Sequence, residues 1–171
     1  LADSVERFLS SYPSRIDVET SYEARLLGPG GTLLKHRERL CDHDFLVAHA
    51  DNFSVIDWAS FVTAHRERPS RCVGTMMTFV TDDPRSCGIV ETDAEGVLKF
   101  MHEKVAEPPG NLANAAVFLF SPQVFDIISD IRGDAVIDIS RDIIPRLLGR
   151  LATFQTSGYH RDIGTPESLA N

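Results

Sequence analysis

Two aspartates stand where a predicted strand gives way to a turn. Asp51 follows an apolar strand expected at 44–50, and Asp162 precedes the glycine turn at Gly164. Open α/β sheets place ligand-binding groups at the carboxyl ends of their strands. A pair of carboxylates there suits Mg²⁺, a hard cation that takes one or two carboxylates together with substrate phosphates. Either aspartate could instead cap the turn that follows it by accepting backbone N–H groups.

Other polar patterns offer less chemistry. The segment Cys41-Asp42-His43 carries soft metal ligands, but no CxxC or HxxxH spacing accompanies it, so a zinc site is not expected. The histidines are scattered, and none lies beside a serine or cysteine in a motif for acyl transfer. The two carboxylates are therefore the main candidates for catalysis.

The residues around the first aspartate alternate between strand and helix patterns. The strand at 44–50, a helix that ends before Pro69 and a strand at 72–80 form a βαβ unit, which predicts parallel neighbouring strands. The runs 88–92 and 97–102 flank a turn that ends in glycine, and they predict a locally antiparallel region. These patterns predict an α/β fold with a mixed, mainly parallel sheet flanked by helices.

The remaining elements follow from the same periodicities. They are a helix beginning at residue 2, a short strand at 16–18, a glycine-rich loop at 26–32, a helix at 33–40, a strand at 113–120, helices at 122–128 and 140–148, and a strand at 151–156.

Composition excludes several classes of partner. The 171 residues, 43% of them hydrophobic, are enough for one domain spanning 1–171 with a sizeable core. A net charge of −8 argues against binding to nucleic acid or to an anionic membrane, because both need clustered Lys and Arg. The apolar runs are too short to span a bilayer. Three widely spaced cysteines favour reduced thiols and a cytoplasmic location.

Several motifs, taken in order, resemble those of the sugar-phosphate nucleotidyltransferases. The similarity covers nearly the whole chain, and the segments 100–104 and 108–114 look most like the mannose- or heptose-1-phosphate guanylyltransferase branch. The motifs are Leu26-Leu27-Gly28 through Leu33, His49-Ala50-Asp51-Asn52, Cys87-Gly88-Ile89-Val90, Glu103-Lys104, the run from Asn111 to Ala115, and Asp162-Ile163-Gly164-Thr165-Pro166.

The resemblance implies a Rossmann-like fold and a reaction. Asp51 and Asp162 would hold Mg²⁺, which bridges the nucleotide α-phosphate and the phosphate of a sugar 1-phosphate. The sugar phosphate attacks in line and pyrophosphate leaves, without a covalent enzyme intermediate. The cation is needed because two anions must meet and charge develops on the transferring group. On this branch the expected substrates are GTP with mannose 1-phosphate or heptose 1-phosphate.

The same resemblance assigns substrate-binding residues. Glu103 would accept hydrogen bonds from sugar hydroxyls and Lys104 would meet the sugar phosphate, although the two could be an exposed ion pair. Gly88 and Asn114 would complete the sugar pocket, or could be bulge and turn residues. Asn52 joins the substrate-binding set.

Two glycines resemble the base-binding glycines of the family. These are Gly28 and Gly31, but Pro29-Gly30 stands between them where Thr-Ala is more usual, so the contact with the base stays open.

The family also begins with a strand and a glycine-rich, basic loop that wraps the triphosphate. Nothing before Leu1 supplies that loop, so we expect the chain to lack it, to turn over little alone, and to expose a sheet edge through which two copies could pair. The alternative function is a non-catalytic module that binds nucleotide sugars or regulates a partner.

Overall fold

The computed structural model describes residues 2–131 and 136–170. Its helices are α1 (Ala2–Ser11), α2 (Gly28–Lys35), α3 (Arg37–Leu40), α4 (Trp58–Arg66), α5 (Val124–Ile127) and α6 (Pro166–Ala170), with a π-helical turn at Ile139–Ile143 and a 3-10 turn at Ile144–Leu147. Its strands are β1 (Phe45–Ala48), β2 (Asn52–Ser54), β3 (Gly74–Val80), β4 (Gly88–Thr92), β5 (Leu98–Glu103), β6 (Leu112–Phe120), β7 (Leu151–Gln155) and β8 (His160–Asp162). Within the described residues, no helix is long and apolar enough to cross a membrane.

The main sheet is mixed and has six strands in the order β5-β4-β6-β3-β7, with β1 also paired to β6. β6 has β3 on one side, while its other side pairs with β4 at Ala113 and with β1 from Val117 onward. The α/β class and the mixed sheet are confirmed. The expected predominance of parallel pairing is wrong, because among the described ladders only β3–β7 is parallel.

The βαβ unit explains that difference. β1, α4 and β3 occur in the predicted order, with the short β2 between β1 and α4, and α4 begins where Asp57 Oδ1 accepts the Ser60 N–H at 3.1 Å. Both strands pair antiparallel to β6, which lies between them. β1 and β3 thus run in the same direction without being neighbours.

The sheet has a core on each face, because successive residues of a strand point to opposite sides. In β3, Met76 belongs to the larger core, which includes Phe118 and the helical turns at 139–147. The next residue, Met77, belongs to the smaller core with Phe61 of α4.

β2 and β8 form a separate two-stranded antiparallel sheet of three residue pairs. Asp51 immediately precedes one strand of this small sheet, and Asp162 ends the other.

Three local predictions are wrong. The segment 16–18 is not a strand, and its residues Ile16 and Val18 are at least half exposed. The glycine-rich segment is not a loop before a helix, because α2 itself starts at Gly28. The helix expected at 140–148 is a π-helical turn followed by a 3-10 turn, with Pro145 at the start of the latter, where its missing N–H costs nothing.

Candidate active site

The β2–β8 ladder brings the two candidate aspartates together. Asn52 pairs with Asp162, and the Ile163 N–H donates to the Asp51 carbonyl at 2.8 Å. These backbone contacts leave Asp51 beside the start of the turn that contains Gly164. Asp51, Asp162 and Gly164 are called the carboxylate corner below.

A glycine lets both carboxylates approach the same point. A Cβ atom placed on Gly164 would stand 3.0 Å from Asp162 Oδ1 and 3.1 Å from Asp51 Oδ2. Both carboxylates therefore border one small volume that any side chain would fill. Asp162 Oδ1 also accepts the Gly164 N–H at 2.7 Å, so the turn-capping interpretation of this aspartate holds alongside the shared volume.

The donor set of the corner suits a hard cation. It consists of carboxylate oxygens only, and both aspartates are exposed, so phosphate oxygens and water can complete the coordination. Within residues 2–131 and 136–170, no three His, Cys, Asp or Glu side chains converge as a metal site. A cation at the corner would therefore take its further ligands from a bound phosphate or from water.

Two contacts fasten the small sheet to the main sheet. Asn52 Nδ2 donates to the Ala115 carbonyl in β6 at 3.2 Å. At the other end of the ladder, the His160 ring lies against Phe79 of β3, with centroids 4.4 Å apart, and its Nδ1 is 2.7 Å from Ser54 Oγ. Burial lowers the pKa of His160, while the charge of nearby Asp162 acts in the opposite direction.

The contacts of Ser54, Phe79 and His160 could not be predicted from the sequence. No motif marks them, and their contacts depend on a strand pairing between residues more than a hundred positions apart.

Three predicted sugar-binding residues share one row across the main sheet. Gly88 pairs with Glu103, and extending the Ile89–Ala113 pair by one residue places Gly88 opposite Asn114. Residues directly opposite each other on paired strands project from the same face. Glu103, Gly88 and Asn114 are called the sugar-side row below.

Gly88 makes room for the Glu103 carboxylate. A Cβ on Gly88 would stand 2.7 Å from Glu103 Oε2, so a side chain here would displace the carboxylate. The next residue, Lys104, has a positive φ of 50° and donates its N–H to the Cys87 carbonyl at 3.2 Å. This left-handed residue turns the chain at the end of β5.

Asn114 lies at an irregularity of β6. Its Oδ1 accepts the Ala116 N–H at 2.9 Å, and Ala116 has a φ of 53°. The pairing of β3 with β6 shifts register here, between Met76 and Thr78. β-Bulges of this kind often lie next to active sites, where they redirect side chains. Asn114 therefore lies at a bulge, whereas the structural alternative made it a turn residue, and it is also a member of the row.

The predicted base-binding glycines have packing roles. Gly28 has a φ of 75°, and a Cβ on it would stand 2.5 Å from the Ile137 carbonyl oxygen. A Cβ on Gly31 would meet Leu27 Cβ at 2.7 Å. Gly30, which the sequence analysis did not select, donates its N–H to the Ile137 carbonyl at 2.9 Å. These contacts explain the glycines without a ligand, and their role toward a base stays a prediction.

A cavity of about 850 Å³ lies between α2 and β1. Its lining includes Pro29 and Thr32 on one side and the residues 46–50 on the other, so it ends next to Asp51. Among the described strands, β1 pairs only with β6, which leaves its other edge along this cavity. His49 Nε2 is buried there without a hydrogen-bond partner in the described part of the chain.

The site lies in a chain whose family can be identified. The family model described as nucleotidyl transferase matches residues 3–171. The chain belongs to this family. The resemblance to sugar-phosphate nucleotidyltransferases is thereby confirmed, and it extends to curated relatives that act as enzymes on different sugar phosphates.

Two curated relatives are named mannose-1-phosphate guanylyltransferases. The protein from Mycobacterium tuberculosis is 30% identical over 158 residues, covering 90% of this chain and 43% of the relative. The catalytic subunit beta from Dictyostelium discoideum is 28% identical, covering 96% of this chain and 46% of the relative. The glucose-1-phosphate adenylyltransferase of Thermomicrobium roseum is 31% identical over 133 residues, which are 73% of this chain and 30% of that protein. The chain thus spans less than half the length of these relatives.

Solved structures confirm the fold. HddC from Yersinia pseudotuberculosis aligns with a TM-score of 0.80 at 20% identity, covering 98% of this chain and 71% of HddC. A putative glucose-1-phosphate thymidylyltransferase from Bacillus anthracis aligns with a TM-score of 0.74 at 20% identity, covering 86% of this chain and 60% of that one.

Proposed function

We propose that the protein transfers a nucleotidyl group from a nucleoside triphosphate to a sugar 1-phosphate, giving a nucleoside-diphosphate sugar and pyrophosphate. The observation that carries the proposal is the volume at Gly164, which the carboxylates of Asp51 and Asp162 both border. Family membership supports the same reaction class.

Asp51 and Asp162 are the proposed Mg²⁺ ligands. A bound Mg²⁺ would neutralise charge on the two phosphates that must approach each other. The protein's part is to hold the two carboxylates at a fixed separation. The Gly164 N–H donates to the Asp162 carboxylate, and the Ile163 N–H donates to the backbone carbonyl of Asp51. Such preorganisation avoids reorganising the site during the reaction.

The sugar-side row is the proposed sugar pocket. Glu103 would accept hydrogen bonds from sugar hydroxyls, Lys104 would contact the sugar phosphate and Asn114 would pair with a further hydroxyl. The row lies close to the corner, because Asn52 beside Asp51 is hydrogen-bonded to Ala115 beside Asn114. Glu103→Ala should therefore weaken sugar-phosphate binding by about 1–3 kcal/mol and change nucleotide binding less, as titration calorimetry with each ligand would reveal.

The cavity between α2 and β1 is the proposed nucleotide side. It lies between the Gly28–Gly31 segment and Asp51, and Asn52 is the next residue after Asp51 in the sequence. The mannose-1-phosphate guanylyltransferases among the relatives favour GTP with mannose 1-phosphate, and heptose 1-phosphate is the second candidate acceptor.

We further propose that residues 1–171 form one catalytic domain and that the donors for the β- and γ-phosphates lie outside it. A triphosphate needs several N–H donors and cationic side chains around those phosphates. Isolated residues 1–171 should then release pyrophosphate at a rate near background. The edge of β1 that faces away from β6 would allow two copies of the chain to pair. The three free thiols suit a cytoplasmic location.

The test is pyrophosphate release by the longest natural form of the protein. GTP and the other nucleoside triphosphates would be screened against mannose, heptose and glucose 1-phosphates. Asp51→Asn and Asp162→Asn should each lower turnover at least about a hundredfold, whereas Asp126→Asn, on the exposed surface of α5, should not.

Two outcomes would contradict the proposal. Equal turnover in Asp51→Asn, Asp162→Asn and Asp126→Asn would show that the corner is not catalytic. Binding of sugar nucleotides without pyrophosphate release from any substrate pair would favour the alternative, a non-catalytic binding or regulatory module.

A further inference from the structure

We propose that Ser54, His160 and Phe79 form a clamp that positions the carboxylate corner for its cation. The proposal rests on the function proposed above, since it takes the corner to be the metal site. Ser54 and His160 would act through the strand ladder rather than by touching the metal or a substrate, and are therefore positioning residues.

The ladder connects the clamp to the corner. Its three pairs are Asn52–Asp162, Phe53–Arg161 and Ser54–His160, so the corner and the clamp lie at opposite ends. Alternate residues of a strand share a face, which places Ser54 and His160 on the same face as Asn52 and Asp162. A slip of one residue in this ladder would turn Asp162 to the other face.

Three backbone pairs alone do not make a stable sheet. Isolated two-stranded sheets are at best marginally stable in water, so their geometry depends on side-chain contacts. At the clamp, the Ser54 Oγ to His160 Nδ1 hydrogen bond of 2.7 Å links the two strands directly. The contact of His160 with Phe79 then fixes that end against β3 of the main sheet.

The opposite face of the ladder provides much weaker support. Phe53 and Tyr159 are in contact there, with ring centroids 6.1 Å apart, but each is about half exposed to solvent. The face that carries the clamp is therefore the one that determines how Asp51 and Asp162 are held. Tyr159 provides a matched control for the clamp.

The test measures binding of Mn²⁺ alone to the 171-residue chain, by the electron paramagnetic resonance signal of the free ion. Ser54→Ala removes the hydrogen bond, and His160→Phe removes it while keeping a ring against Phe79. Each should raise the Mn²⁺ dissociation constant about tenfold, as loss of supporting partners does at other metal sites. The double variant should show about the same tenfold rise rather than a hundredfold one, because both changes break one interaction.

Two further variants separate positioning from general destabilisation. Ser54→Thr keeps the hydroxyl and should restore the wild-type dissociation constant to within about twofold. Tyr159→Leu, on the other face of the same ladder, should likewise leave it within about twofold. Circular dichroism at the temperature of the titration verifies that each variant is folded.

The outcomes distinguish the two proposals. If Asp162→Asn does not weaken Mn²⁺ binding, the corner is not a metal site, and the proposed function and the clamp both fail. If Asp162→Asn weakens Mn²⁺ binding, but Ser54→Ala and His160→Phe have the same Mn²⁺ dissociation constant as Tyr159→Leu, only the clamp is overturned. A rise of about a hundredfold in the Mn²⁺ dissociation constant of the double variant also overturns the clamp.

Discussion

The carboxylate corner and the sugar-side row are built on different supports. The row lies on three adjacent strands of the main sheet, next to the larger core, where Met101 and Leu112 pack. The corner lies on a three-pair ladder outside that sheet and is held by Asn52 at one end and the Ser54–His160 pair at the other. The comparison shows that the row's geometry follows from the register of the main sheet, whereas the corner depends on a few local contacts.

The largest expected effect comes from separating the strands of the corner. A Cβ on Gly158 would stand 1.9 Å from the Val55 carbonyl oxygen, a backbone atom that cannot move aside alone. Gly158→Ala should destabilise the ladder by about 3 kcal/mol. Amide hydrogen exchange should show loss of protection at Val55 and Ile163, whose N–H groups bond across this region, and no loss in β3.

Gly110→Ala is the matched control, since no atom lies within 4 Å of its added Cβ. Equal protection at Val55 and Ile163 in the two variants would show that the corner does not need Gly158.

A smaller effect is expected in the row. In Gly88→Ala the added Cβ would meet Glu103 Oε2 at 2.7 Å, and this flexible carboxylate can move away. The fold should therefore keep its free energy of unfolding, while affinity for the sugar 1-phosphate falls about tenfold, or about 1.4 kcal/mol. Calorimetric titration measures the affinity. Gly88→Ala could instead bind the sugar 1-phosphate as tightly as the wild-type protein, while Glu103→Ala binds it more weakly. That result would mean that Glu103 binds the sugar from a displaced position.

Acid should weaken the main sheet through a buried histidine. His65 Nε2 donates to Asp44 Oδ2 at 3.2 Å, and its Nδ1 lies 3.1 Å from Thr75 Oγ1. Burial lowers its pKa, with Arg68 adding to the effect and Asp44 opposing it. Below the ordinary histidine pKa of about 6.5 the unfolded chain therefore binds a proton that the folded chain resists, so stability falls as the pH decreases.

Urea unfolding at pH 7.5 and pH 5 measures this effect. The wild-type protein should lose more of its free energy of unfolding between these pH values than His65→Gln does. Identical losses would assign the acid sensitivity to other groups, of which His160, whose pKa burial also lowers, is the first candidate.

The smallest expected effect is at the bulge. Ala116 has a left-handed φ of 53°, which is unfavourable for a residue with a Cβ. Ala116→Gly should raise the free energy of unfolding by about 0.5 kcal/mol, because relief of the strain slightly exceeds the greater flexibility of glycine in the unfolded chain. Ala115→Gly, at the adjacent position with no positive φ, should lower it. A decrease in both variants would contradict the strain at Ala116.

The sequence predicted the parts of the site that short patterns determine. Strand ends and turns marked Asp51 and Asp162, whereas Gly88 and Glu103 were selected by the resemblance to the family and not by a local pattern. Pairing between distant segments was not predictable in the same way. β6 separates β1 from β3, and Ser54 meets His160, only because of contacts across the whole fold. The helix at Gly28–Lys35 was also not predicted, because tertiary packing against Ile137 outweighs the weak helix propensity of glycine.

Gly164 contributes to the corner because it has no side chain. Its φ is not in the left-handed region, so alanine would be compatible with the backbone there, and the atoms nearest to the new methyl group would be Asp162 Oδ1, Asp51 Oδ2 and Asp51 Cβ. Gly164→Ala would thus preserve the fold and remove the space shared by Asp51 and Asp162, a change that Mn²⁺ titration would detect. Under the proposed function, one methyl group would then separate a protein that transfers the nucleotidyl group from one that binds the same sugars without reacting them.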